Sequence, residues 1–162
     1  MIPQIELYLH TEHEWVTPEL MEACSAALTR LLPELLAFPP GPAHVLSELE
    51  CVEISIVDDA TIAQVHAEFL DDPSATDVIT FPYGEILVSA DTAARYAAAH
   101  QLPREQELFR YMVHGLTHLH GYLDATPEQR AALFAVQEPL VAHFFPLLPT
   151  AAQQGTGEPA EA

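Results

Sequence analysis

Polar and apolar positions alternate over residues 5–11 (IELYLHT) and 50–58 (ECVEISIVD), a period-two pattern that predicts two strands. Residues 76–83 (TDVITFPY) and 85–90 (EILVSA) are also strand-like, close together around Pro82 and Gly84, and the proline predicts an edge position for the first of them. Between these segments the period changes. Thr17-Pro18-Glu19 has a capping threonine followed by proline at the first helical position, which predicts a helix to about Leu36. Asp58 or Asp59 caps a short helix through Phe69, and Asp91 begins another. Pro103 opens the helix that contains HGLTHLHG, and Thr126-Pro127-Glu128 repeats the threonine-proline start for a last helix to about Phe145. Residues 37–44 (AFPPGPAH) and 70–75 (LDDPSA) read as loops. The order βαβαββααα predicts an α+β fold: one domain over residues 1–145, a small mixed sheet of about four strands backed by helices. From Pro146 the chain turns to Pro, Ala, Gln, Gly and Thr, which predicts a flexible tail over 146–162.

The helix opened by Pro103 carries the chemistry. At about 100° per residue, Leu108, Phe109, Met112, Val113, Leu116 and Leu119 fall on one side. His114 and His118 fall together on the other, one turn apart. Gly121 stands where glycine's left-handed conformation ends a helix, and Asp124 comes after the turn. Two imidazoles plus a carboxylate form a three-ligand metal site with an open position, and His114, His118 and Asp124 are its expected ligands. His120 falls about 160° from His118, on the core side, where a bond to a buried carbonyl is expected. The residue after His114 is Gly115, where a His-Glu-x-x-His peptidase carries its general base, so peptide hydrolysis by that route is not expected. The glycine is expected instead to admit close approach of another segment, such as the 76–83 strand. An aspartate in place of a third histidine lowers the charge at the ion, so zinc is expected with Mn²⁺ as competitor.

Composition narrows the partners. The chain has 162 residues, a net charge of −19, five arginines and no lysine. A broad basic face for DNA or RNA is therefore absent, and any phosphate has to be held by a metal cation and a few arginines. No apolar run reaches the roughly 18 residues of a membrane span, and no signal-peptide pattern opens the chain, so a cytoplasmic address is expected. Cys24 and Cys51 lack Cys-x-x-Cys spacing and read as buried free thiols.

Residues 114–124 (HGLTHLHGYLD), with TDVITFP at 76–82 and GEILVSADTA at 84–93, resemble the YbeY family of bacterial rRNA maturation factors. The similarity covers roughly residues 53 to 145. It implies a small sheet with helices packed on it, and a metal-dependent endoribonuclease specific for single-stranded RNA. The implied roles are maturation of the 3′ end of small-subunit ribosomal RNA and ribosome quality control, with ribosomal proteins as further partners. The family's His-Gly-x-x-His-Leu-x-Gly-Tyr-x-His motif places its ligands on His114, His118 and Asp124, the last an aspartate where the family has histidine. A Tyr-Arg pair usual before the TDV strand is replaced here by Phe69-Leu70. That departure supports an alternative, a non-catalytic ribosome-assembly factor with a structural metal. Arg95, Arg104 and Arg110 are the candidates to supply the missing cation, Thr80 and Phe81 to contact a nucleotide, and Asp77 and Glu85 to orient an imidazole.

Overall fold

The structure is a computed structural model that describes residues 2–72, 74 and 76–150. It has the expected α+β architecture. Four strands, β1 (Gln4–Leu9), β2 (Cys51–Val57), β3 (Val78–Phe81) and β4 (Glu85–Ser89), form one sheet in the order β1-β2-β4-β3. β1, β2 and β4 are parallel, and β3 is antiparallel to β4 at the edge. Pro82 lies in the β3–β4 turn, where its missing N–H costs the ladder nothing.

The helices start where their caps predict. Thr17 Oγ1 accepts from the Leu20 N–H at α1 (Pro18–Leu36), and the Asp58 side chain accepts from Thr61 N–H at α2 (Asp59–Leu70). At α5 (Pro127–Phe144), Thr126 and Gln129 form a reciprocal capping box. The start of α3 (Ala90–His100) differs from expectation. Ser89 is its cap, because Asp91 is engaged elsewhere, accepting from Asp59 N–H and meeting His13 Nε2 at 2.6 Å.

β2 and β4 are buried on both faces along most of their length, whereas β1, at the edge, buries only Ile5. Ile86 and Val88 join the main core beneath α1, α4 (Arg104–Leu119) and α5. Leu87 turns to the other face and packs with Val57, Ile62 and Ile79 under α2. The apolar stripe of α4 behaves as its period predicts, with Leu108, Phe109, Met112, Val113, Leu116 and Leu119 all buried. Cys24 is buried, but Cys51 is only half-buried on β2. The first residues of the expected tail are packed against the fold. Phe145–Leu147 form a 3₁₀ turn, and Leu148 is 1% exposed within the main core. The rest of the expected tail, residues 151–162, lies outside the described residues. So do Pro73 and Ala75 of the expected 70–75 loop.

The loop at residues 37–45 shapes the exit from α4. Gly41 N–H donates to His120 O and Val45 N–H to Leu119 O, so the loop runs along the end of the helix. Gly41 and Gly121 meet backbone to backbone: a Cβ on Gly41 would stand 2.0 Å from Gly121 O. Gly121 also has φ +101°, a conformation that L side chains rarely adopt. Above this contact His120 Nε2 donates to Phe38 O at 2.8 Å, and the Tyr122 hydroxyl donates to Pro39 O at 2.7 Å. His120 is thus the structural histidine expected from its angle, 2% exposed and bonded to a carbonyl.

Candidate metal centre

α4 is the central helix, packed by α3 and α5 on its sides and by β3 and β4 beneath. Gly115 lets the sheet come close. A Cβ there would meet Ile86 Cγ2 at 2.7 Å, so the strand admitted is β4, and not β3 as the sequence suggested. With α4 seated this way, His114 and His118 lie one turn apart at the rim of a cleft, their rings edge to face with centroids 4.5 Å apart. The turn fixed by Gly121 brings Asp124 back to them. Asp124 Oδ2 is 3.5 Å from His114 Nε2 and 3.3 Å from His118 Nε2.

The far side of each ring sets its tautomer. His118 Nδ1 lies 2.7 Å from Tyr122 O, a carbonyl that can only accept, so Nδ1 carries the proton. His114 Nδ1 lies 2.7 Å from Gln137 Oε1. Gln137 donates its own Nε2 to Glu138 Oε2 at 2.7 Å, which orients the amide with its oxygen toward the ring. Glu138 in turn accepts from Arg110 Nε at 2.9 Å and Nη2 at 3.0 Å, and Arg110 also pairs with Glu107. Both Nε2 atoms therefore present lone pairs to the Asp124 carboxylate. Burial first, and the neighbouring His118 second, hold His114 below the ordinary imidazole value, favouring its neutral form.

Two nitrogen lone pairs and a carboxylate oxygen at these distances repel one another unless a cation lies between them. The spacing suits one: bonds of about 2.0–2.1 Å in a tetrahedral shell place ligand atoms roughly 3.3–3.4 Å apart. The three ligand atoms lie within 4.8 Å of one another. The residues present fit a divalent metal, with room for a further ligand on the cleft side.

The cleft has a volume of about 430 Å³, walled by Asp77, Val78, Ile79 and Thr80 opposite the histidines. Thr80 lines the cleft, but its hydroxyl is closed off from solvent and has no hydrogen-bond partner among the described residues. Phe81 does not line it; it packs instead in the second core cluster and against Phe69 and Tyr83. Asp77 lies in the cleft and Glu85 accepts from the Tyr83 hydroxyl, but the imidazoles take their hydrogen bonds from neither. Leu70 lines the cleft where the resemblance has arginine. Arg95 is held by Asp59 and Thr92, and Arg104 lies over the Trp15 ring, so neither points to the ligands. Of these three, Arg110 borders a cavity beside His114, where it is paired with Glu107 and Glu138.

The family model described as Endoribonuclease YbeY matches residues 20–144. The chain belongs to the YbeY family. YbeY-family endoribonucleases similar to it include that of Rhodopirellula baltica, 41% identical over 92 residues, covering 51% of this chain and 47% of the relative. That of Protochlamydia amoebophila is 41% identical over 87 residues, covering 46% and 58%. The chain thus spans about half the length of these relatives. The solution structure of TM1509 from Thermotoga maritima superposes with a TM-score of 0.58 at 22% identity, over 88% of this chain and 89% of that one, a likeness of fold.

Proposed function

We propose that this YbeY-family chain is a metal-dependent endoribonuclease that cuts single-stranded RNA, acting in 3′-end maturation of small-subunit ribosomal RNA and in ribosome quality control. The observation that carries the reading is the convergence of two Nε2 lone pairs and the Asp124 carboxylate at the rim of an open cleft. His114, His118 and Asp124 hold the ion, with zinc the expected metal and Mn²⁺ favoured as competitor by the carboxylate. Bound there, a divalent ion supplies Lewis acidity toward a phosphoryl oxygen and a water acidified for attack. The chain's own residues supply position. Gln137 and the Tyr122 carbonyl fix the two rings, and the loop at 37–45 fixes the turn that carries Asp124. The β3 wall confines the strand opposite the ion, and no helix among the described residues is long and apolar enough to cross a membrane.

One observation favours a second reading. Leu70 stands in the cleft, and Arg110, which borders the cavity beside His114, is already paired with two carboxylates. A cleft with leucine at that position, and with its bordering arginine already neutralised, suits a non-catalytic assembly factor whose metal is structural and whose partner is a basic ribosomal protein. Incubation of the purified protein with single-stranded RNA, with and without chelator and beside His114→Ala, separates the two. The nuclease reading expects cleavage that both chelator and mutation abolish. Cleavage retained by the mutant removes that reading, and sedimentation of both proteins with ribosomal particles in the absence of any cleavage favours the second.

A further inference from the structure

The groove does not end at the candidate ligands. A second cavity of about 310 Å³ opens on the other side of His114 and shares Asp77, His114 and Asp124 with the cleft, so the two are arms of one groove meeting at the ion. An enzyme that cuts within a chain has to accommodate nucleotides on both sides of the scissile phosphate, and the second arm differs in chemistry from the first. Its floor is α4, with Arg110 neutralised by Glu107 and Glu138. Two carboxylates on one guanidinium leave an excess of negative charge, which disfavours a phosphate there. Its sides are aromatic: Tyr96 comes from α3 and Phe134 from α5, the helices that pack on α4, and each is 45% exposed. Neither exposure is explained by core packing. Phe134 lies outside the buried set of α5, and Tyr96 stacks one ring face on His100 at 3.9 Å and 15°.

A neutral, flat ligand with two π faces matches such a site. Resting on the reading of the chain as a nuclease, we infer that this arm takes an unpaired nucleobase next to the scissile phosphate, stacked on Tyr96 and Phe134. Stacking of this kind tolerates any base, because each has a π face. It also gives single-strand selectivity a physical cause, since a base held in a duplex cannot enter the arm without leaving its own stack.

The test uses the full chain with Zn²⁺ and a single-stranded oligoribonucleotide carrying 2-aminopurine. The wild type is expected to quench the fluorescence, and annealing a complementary strand to abolish the effect. Tyr96→Ala and Phe134→Ala should each weaken binding by roughly five- to a hundred-fold, while Tyr96→Phe and the distant Tyr8→Ala bind as wild type. Unchanged melting temperatures establish that the variants fold. If the wild type cuts single-stranded RNA and both alanine variants bind it equally well, the stacking site is overturned while the nuclease reading stands, and the aromatic pair is left as a surface for a protein. If the wild type neither binds nor cuts RNA, both readings fall together.

Discussion

Gln137 is a polar side chain at 2% exposure on a helix whose other buried residues are apolar, and its amide is used on both sides. Removing it leaves His114 Nδ1 without an acceptor, so the ring is free to rotate or to exchange tautomers. Loss of a partner that orients a metal-bound histidine costs about 10–100-fold in affinity. Gln137→Ala is expected to weaken Zn²⁺ binding by that factor in a competition titration, with Gln137→Glu, which keeps the acceptor, recovering most of it. Equal affinity in wild type and Gln137→Ala would mean that the hydrogen bond does not orient the ring. Gly115 makes a different demand, since a methyl group there collides with a side chain and not with backbone. Gly115→Ala should cost about 1–3 kcal/mol by overpacking. In a double-mutant cycle read by denaturant unfolding, adding Ile86→Ala should cost less than the sum of the two single changes. Strict additivity would show that the close approach to β4 is not what requires glycine.

Among the elements, α5 does two jobs: it packs on the core through Leu133, Val136, Leu140 and Val141, and it delivers Gln137 to the site. Its start is held by the Thr126–Gln129 box, and loss of an N-cap costs about 0.5–2 kcal/mol. Thr126→Ala is therefore expected to lower the unfolding midpoint with an unchanged denaturant slope, and an unchanged midpoint would show that the box contributes nothing. The box also marks what was legible in the sequence. Thr17-Pro18, Asp58 and Thr126-Pro127 announce their helices because capping is local chemistry, and the convergence of His114, His118 and Asp124 was legible because they lie within one helix and its following turn. The support of His114 was not legible. Gln137 lies 23 residues beyond it, and no local period encodes that contact. Its only sequence signal was a polar residue four positions after Leu133 and three before Leu140, on the stripe of α5 that faces the core. Asp77 and Glu85 looked better placed because they lie in the matching strand motif, yet strand alternation and the Tyr83 hydroxyl take Glu85 away from the ligands.

For the whole molecule the governing quantity is a net charge of −19 with five arginines, of which Arg95, Arg104 and Arg110 are paired with carboxylates. A basic nucleic-acid-binding protein that makes six to ten phosphate contacts loses about 10³–10⁵ in affinity between 50 and 200 mM salt, because each contact releases counterions. This chain has no basic track to do so. Arg130, donating to the Asp124 carbonyl at 3.2 Å, is the arginine anchored nearest the ligands without a carboxylate partner among the described contacts. One or two phosphate contacts on a single strand give a slope of log affinity against log salt of roughly −0.7 to −1.4. Repulsion between the acidic surface and RNA works in the opposite sense, since added salt screens it within a Debye length of about 10 Å at 0.1 M. The two effects nearly cancel. Affinity for single-stranded RNA, measured by fluorescence anisotropy at fixed Zn²⁺, is therefore expected to change by less than about ten-fold between 50 and 200 mM NaCl, and to collapse when the divalent ion is chelated. A steep loss with salt, at constant metal occupancy, would require a basic surface that the fold does not provide, and would point to RNA held away from this groove.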